Sequence, residues 1–309
     1  MANWKILNFV VVAALLVLGL GCTKEIPLSP SPTATANTNL QIFQVKGVVQ
    51  ELKPAEKTVV IKHEEIPGFM EAMTMPFEVK AVKELDGLQP GDSVTFRMIV
   101  TKDEGWIDQI RKIAEATPIP PAATETFRRV RMVEPLNIGD PLPDYHFTNE
   151  LGQTMSFAQF RGQALAFTFL FTRCPFPNFC PRMSTHFAAV QNKLKAMPNA
   201  PTNWHLLTIS FDPEFDTPAA LKAYAKGFGA DPARWNFLTG EMIDIDAITE
   251  QVGLLFMKQE GTINHNLRTV VVDAQGRIQR IIPENKWEPD ELVEEILKAA
   301  AIKPADAQK

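Results

Sequence analysis

Five short apolar stretches, each closed by turn residues, occupy the first third of the chain after residue 40: 42–52, 58–63, 75–79, 93–100 and 106–110. They predict strands. The run Leu88-Gln89-Pro90-Gly91-Asp92 ahead of Val94 is a turn with a visible cause, since Pro90 fixes φ and Gly91 frees it. Five strands in about 70 residues predict a small closed all-β barrel, OB-like in size.

Beyond residue 137 the pattern changes to strands alternating with helices, as in a layered α/β fold. Residues 151–160 lead into the strongly apolar strand 164–171, a helix follows over 182–195, and a strand over 205–211. The next helix, to residue 228, has Asp216 or Thr217 as its cap and Pro218 in its first turn. Strand 267–273 turns through Ala274-Gln275-Gly276-Arg277 into strand 278–282, and an amphipathic helix over 288–301 closes the pattern.

Two stretches rich in proline and small residues interrupt this patterning, 23–39 and 114–126. Such segments bury too little apolar surface to fold and act as extended spacers. The resulting map is an N-terminal leader over 1–22, a tether over 23–39, a β domain over 40–113, a linker over 114–136, an α/β domain over 137–302 and a tail over 303–309. There is no internal repeat.

Composition adds little to this picture. The chain has 309 residues, 45% apolar and 22% charged, which suits about two globular domains. Its formal charge of −5 is spread without a basic block, which argues against nucleic acid as a partner.

The leader sets the compartment. Lys5 precedes an uncharged stretch over 6–21 that is short for a membrane span and ends at Gly19-Leu20-Gly21-Cys22. It resembles a bacterial lipoprotein signal, which implies that Cys22 is lipidated and that the soluble domains stand on a membrane outside the cytoplasm. An uncleaved N-terminal anchor is the alternative, and it leads to the same compartment.

The chain has three cysteines, so setting Cys22 aside leaves the pair Cys174 and Cys180, separated by five residues directly after an apolar strand. Two thiols at a strand-to-helix junction point to redox chemistry or a soft metal. A second chemical run is His63-Glu64-Glu65-Ile66-Pro67-Gly68-Phe69-Met70-Glu71-Ala72-Met73-Thr74-Met75. In a strand, Met73 and Met75 project from one face, and two thioethers with an imidazole suit Cu(I). Methionines also serve as core fillers, so this spacing is equally that of a packed strand.

The His63 to Met75 run resembles the CusF-type periplasmic copper-binding domain, a similarity that covers most of residues 44–111. The resemblance implies His63, Met73 and Met75 as Cu(I) ligands. Met70 stands where that family often has a capping tryptophan, and it supplies a further thioether or leaves the site more open. Phe69 and Trp106 are not assigned that capping role.

In the α/β region, Thr172-Arg173-Cys174-Pro175, Cys180-Pro181, Ser210-Phe211-Asp212-Pro213 and Asn264-His265-Asn266-Leu267-Arg268-Thr269 occur in this order. They resemble the Sco/SenC family of thioredoxin-like copper proteins. That implies a thioredoxin-like fold and a copper site, Cu(I) or Cu(II), made by Cys174, Cys180 and His265. The family usually places three residues between its cysteines, so the five here leave a metal site and a Cys174–Cys180 disulfide both open.

His146, His186 and His205 have no comparable context, though His186 is near enough in sequence to join the outer shell. Asp212 and Asp216 fit capping and loop-ordering roles, with orientation of His265 as an option. The combined expectation is a membrane-tethered copper chaperone with one Cu(I) site per domain, the resemblance implying a respiratory oxidase copper-site subunit as client. The alternatives are an envelope thiol–disulfide oxidoreductase using Cys174 and Cys180 with a thiol reductant, and a copper buffer or resistance lipoprotein.

Overall fold

The computed structural model describes residues 40–114, 133–259 and 262–303. The expected lipoprotein signal with Cys22, the expected tether, residues 115–132 of the expected linker and residues 304–309 lie outside the described residues.

The first domain is a five-stranded antiparallel sheet: β1 (Gln41–Lys53), β2 (Thr58–His63), β3 (Met73–Glu78), β4 (Ser93–Val100) and β5 (Gly105–Ala114), in the order β3-β2-β1-β4-β5. Its inner face is apolar, with Val49, Val59, Ile61, Phe77, Val94, Phe96 and Ile107 fully buried. The expected five strands are present, but the expected closed barrel is not. The edge strands β3 and β5 share no ladder, and the isolated parallel bridge between the two edges, Val79 to Ile107, lies just past the end of β3. The physical reason is length, because six-residue β3 ends where closure would begin. The sheet curls without sealing.

The second domain carries a seven-stranded sheet in the order β14-β13-β8-β9-β10-β6-β7. Its strands are β6 (His146–Asn149), β7 (Thr154–Ser156), β8 (Ala164–Leu170), β9 (Trp204–Ser210), β10 (Trp235–Thr239), β13 (Arg268–Val272) and β14 (Ile278–Pro283). A separate hairpin, β11 (Phe256–Gln259) with β12 (Thr262–His265), stands outside that sheet. The helices are α1 (Cys180–Ala196), α2 (Pro218–Gly227), α3 (Met242–Gln251) and α4 (Pro289–Ala301). Strands β8, β9 and β10 run parallel and every residue of each is buried, as near-continuous apolar runs require when both faces are covered.

Helix α1 begins at Cys180, two residues earlier than the pattern predicts, because Pro181 is tolerated in a first turn that needs no N–H donor. Helix α2 starts as expected, with the Thr217 hydroxyl accepting from the Ala220 N–H at 3.3 Å. The pattern misses β6, β10, β11, β12 and α3. In α3 the stretch Ile243-Asp244-Ile245-Asp246 alternates at a period of two, which is a strand signal lying on a helix.

All the described residues fall in one compact unit, in which the β sheet and the α/β layer pack directly against each other. The two expected sites are therefore not isolated on independent modules.

Candidate metal centre

The strand β8 delivers its chain to the loop Phe171-Thr172-Arg173-Cys174, and α1 starts at Cys180. Asp216 orders the loop. Its carboxylate accepts from the Thr172 N–H at 3.0 Å, from the Ser210 hydroxyl at 2.6 Å and from the Thr172 hydroxyl. Asp212 accepts from Arg173 at 2.7 Å. These aspartates shape the loop as expected, and their bonds go to Thr172, Ser210 and Arg173 rather than to His265. Burial raises the Asp216 carboxyl above the usual carboxylate range.

His265 ends the β11–β12 hairpin and brings its imidazole onto the two sulfurs. One atom from each of Cys174, Cys180 and His265 lies within 4.8 Å of the others, with Cys180 Sγ and His265 Nε2 at 3.9 Å. His265 Nδ1 is 2.7 Å from the Asn266 carbonyl. A carbonyl only accepts, so the proton sits on Nδ1 and the Nε2 lone pair faces the thiols. Phe171, Phe179 and Phe211 surround the ring.

The two thiols are not equivalent. Cys180 is fully buried, and burial pushes its thiol well above the ordinary value. The hydrogen bond from Cys180 holds Cys174 well below it. Cys174 is therefore the first of the pair to ionise. Two soft sulfurs and one unprotonated imidazole nitrogen are a donor set that fits copper.

The second group has the same logic. His63 ends β2, and the antiparallel register sets it directly opposite Met73, while Met75 lies on the same face two residues on. His63 is buried, its Nδ1 lies 2.7 Å from the Glu64 carbonyl, and its Nε2 has no hydrogen-bond partner. A buried ring nitrogen with no partner is costly unless something else occupies its lone pair. Burial also lowers the His63 pKa, which keeps the imidazole in its ligating form. Met70 is brought close by a tight turn in which Ile66 and Met70 exchange both backbone hydrogen bonds, with Gly68 at φ 73°.

The remaining candidates fall elsewhere. Phe69 stacks on Phe43, and Trp106 lies under Lys80. His186 packs edge-on against Trp287 rather than beside the thiols, His205 pairs with Asn236 at 2.8 Å, and His146 is exposed. The outer-shell option for His186 thus has no contact behind it.

What the pattern missed is the middle of the cysteine loop. Phe176 leaves the α/β domain and is buried in the β-domain core, with only 2% of its surface exposed, 6.1 Å from the Phe77 ring. Asn178 bonds both backbone groups of Gly105, accepting at 2.7 Å and donating at 2.8 Å. The available signal was an apolar residue held between Pro175 and Pro177 in a loop that otherwise had no reason to be apolar.

Residues 137–301 match the SCO1/SenC family model, more than half of the chain. The chain belongs to the SCO1/SenC family. Residues 42–112 match the model for the copper binding periplasmic protein CusF, so the fusion is of a CusF-like domain to a thioredoxin-like Sco domain. The Sco and CusF families bind copper.

Among curated relatives, the SCO1 protein homolog of Bacillus subtilis is 27% identical over 175 residues, 54% of this chain and 88% of its own length. Among solved structures, copper-bound ScoI of Arabidopsis thaliana is 23% identical, with a TM-score of 0.45 over 53% of this chain and 98% of its own. BsSco, described as a member of the Sco family of cytochrome c oxidase assembly proteins with a disulfide switch, is 26% identical. Its TM-score is 0.47 over 56% of this chain and 99% of its own.

Proposed function

We propose that this Sco-family copper protein is a membrane-anchored metallochaperone that carries Cu(I) at two donor sets and delivers it for assembly of a respiratory oxidase copper centre. Cys174, Cys180 and His265 form one set, and His63, Met73 and Met75 the other, with Met70 as a further thioether. The observation that carries this reading is the repeated arrangement of the two histidines. Each ties Nδ1 to a neighbouring carbonyl and leaves Nε2 beside soft sulfur residues.

Lipidation of Cys22 would hold the protein outside the cytoplasm. No helix among the described residues is long and apolar enough to cross a membrane. The methionine set, built of weaker neutral donors, captures copper reversibly, and the thiolate set retains it. The test is Cu(I) stoichiometry of the reduced chain. Two equivalents are expected, falling to one for Cys174→Ser and to one for Met73→Leu with Met75→Leu. One equivalent that survives Cys174→Ser would refute the copper role of the thiols.

A second reading rests on the thiol asymmetry. A Cys174 thiolate could attack a client disulfide, after which Cys180 resolves the mixed disulfide, leaving a client dithiol and a Cys174–Cys180 disulfide that a thiol reductant restores. The reduction potential separates the two readings. A value far below the compartment's poise excludes turnover.

A further inference from the structure

The five residues between the cysteines do more than close a loop. Phe176 fills the β-domain core, Asn178 is pinned to Gly105, and the Asn178 carbonyl also accepts from Asn285. Two ion pairs flank this peg, Arg182 to Glu78 at 2.9 Å and Lys286 to Glu56. The attachment brings β3 against the thiol loop and the β12 end. Met70, Met73 and Met75 then line the same narrow cavity as Cys174 and His265, while Cys180 lies fully buried beneath.

That cavity offers about 30 Å³, roughly the space of a single water molecule. The Met73 and Met75 thioethers face Cys174 and His265 across it, which lets an ion exchange one protein ligand for another without a second site between them.

We propose that the Phe176–Asn178 peg makes the methionine and dithiol sets two ends of one cavity, through which Cu(I) passes by direct ligand exchange without release to solvent. This rests on the reading of both sets as copper sites. The ion stays Cu(I) throughout and no electron moves. Bonds to the thioethers and His63 Nε2 break as bonds to the Cys174 and Cys180 sulfurs and His265 Nε2 form, and thiol protons leave to water.

The geometry supplies a variant that touches no ligand. A Cβ on Gly105 would stand 2.5 Å from two ring carbons of Phe176, so Gly105→Val expels the peg. Glu78→Arg sets like charges at the flanking ion pair and serves as a second, surface-exposed variant should the first fold poorly. The full chain, loaded with Cu(I) in detergent, is challenged with bathocuproine disulfonate, a chelator too large for the cavity.

The wild type is expected to release copper at a rate independent of chelator concentration. Both variants should keep two equivalents yet release it at least about tenfold faster, as an opened site allows. Equal rates in all three proteins, with two equivalents bound, would overturn the shared cavity and leave the copper function standing. Fewer than two equivalents in the wild type would instead overturn the two-site reading and the cavity with it.

Discussion

At the residue scale, burial favours the neutral form of three histidines. Burial lowers the pKa of His63, His186 and His205, and it is the largest cause for each. An unfolded chain protonates these rings near pH 6.5, whereas the folded chain resists until lower pH. Below about pH 6.5 the unfolded state therefore binds more protons, and stability falls with acidification until the folded values are reached. Thermal melting of the copper-free protein should move to lower temperature between about pH 7.5 and about pH 5.5. A midpoint that rises over this interval would contradict neutral burial. The residues of the two proposed sites were legible in the chain, because Cys174, Cys180, His265, His63, Met73 and Met75 all sit in recognisable runs. Their tautomers were not, since those depend on carbonyls that only the folded backbone brings within 2.7 Å.

At the scale of elements, the peg joins the two domains by burial and by hydrogen bonds, which can be separated. Phe176→Ala removes a ring with 2% exposure from the β-domain core, and a loss of about 3 kcal/mol is expected. Asn178→Ala leaves the buried N–H and C=O of Gly105 without partners, at about 2 kcal/mol. Denaturant unfolding should rank the wild type above Asn178→Ala and Asn178→Ala above Phe176→Ala. A Phe176→Ala protein as stable as the wild type would show that the ring is not buried in solution.

Strong periodic elements such as β8 and α4 were legible from the pattern, whereas α3 and the barrel closure were not. Alternation in Ile243-Asp244-Ile245-Asp246 imitates a strand, and closure depends on how far β3 runs before its partner ends. The role of Phe176 was hidden for a similar reason. An apolar loop residue reveals its partner only when a second domain is packed around it.

For the whole molecule, the fusion joins two copper-binding families in one unit, with Met70, Met73, Met75, Cys174 and His265 lining a common cavity. In the proposed role, lipidation of Cys22 holds the chain at the membrane surface. Cys22→Ser should shift the protein from the membrane fraction to the soluble fraction. Retention at the membrane would point to an uncleaved anchor instead.

Copper coordination is the most direct test of the whole scheme. X-ray absorption at the copper edge of the Met73→Leu, Met75→Leu chain, loaded with one Cu(I), should show sulfur from two cysteines and one imidazole nitrogen. A spectrum with only nitrogen and oxygen neighbours would contradict the dithiol–histidine centre, and with it the chaperone that is built upon it.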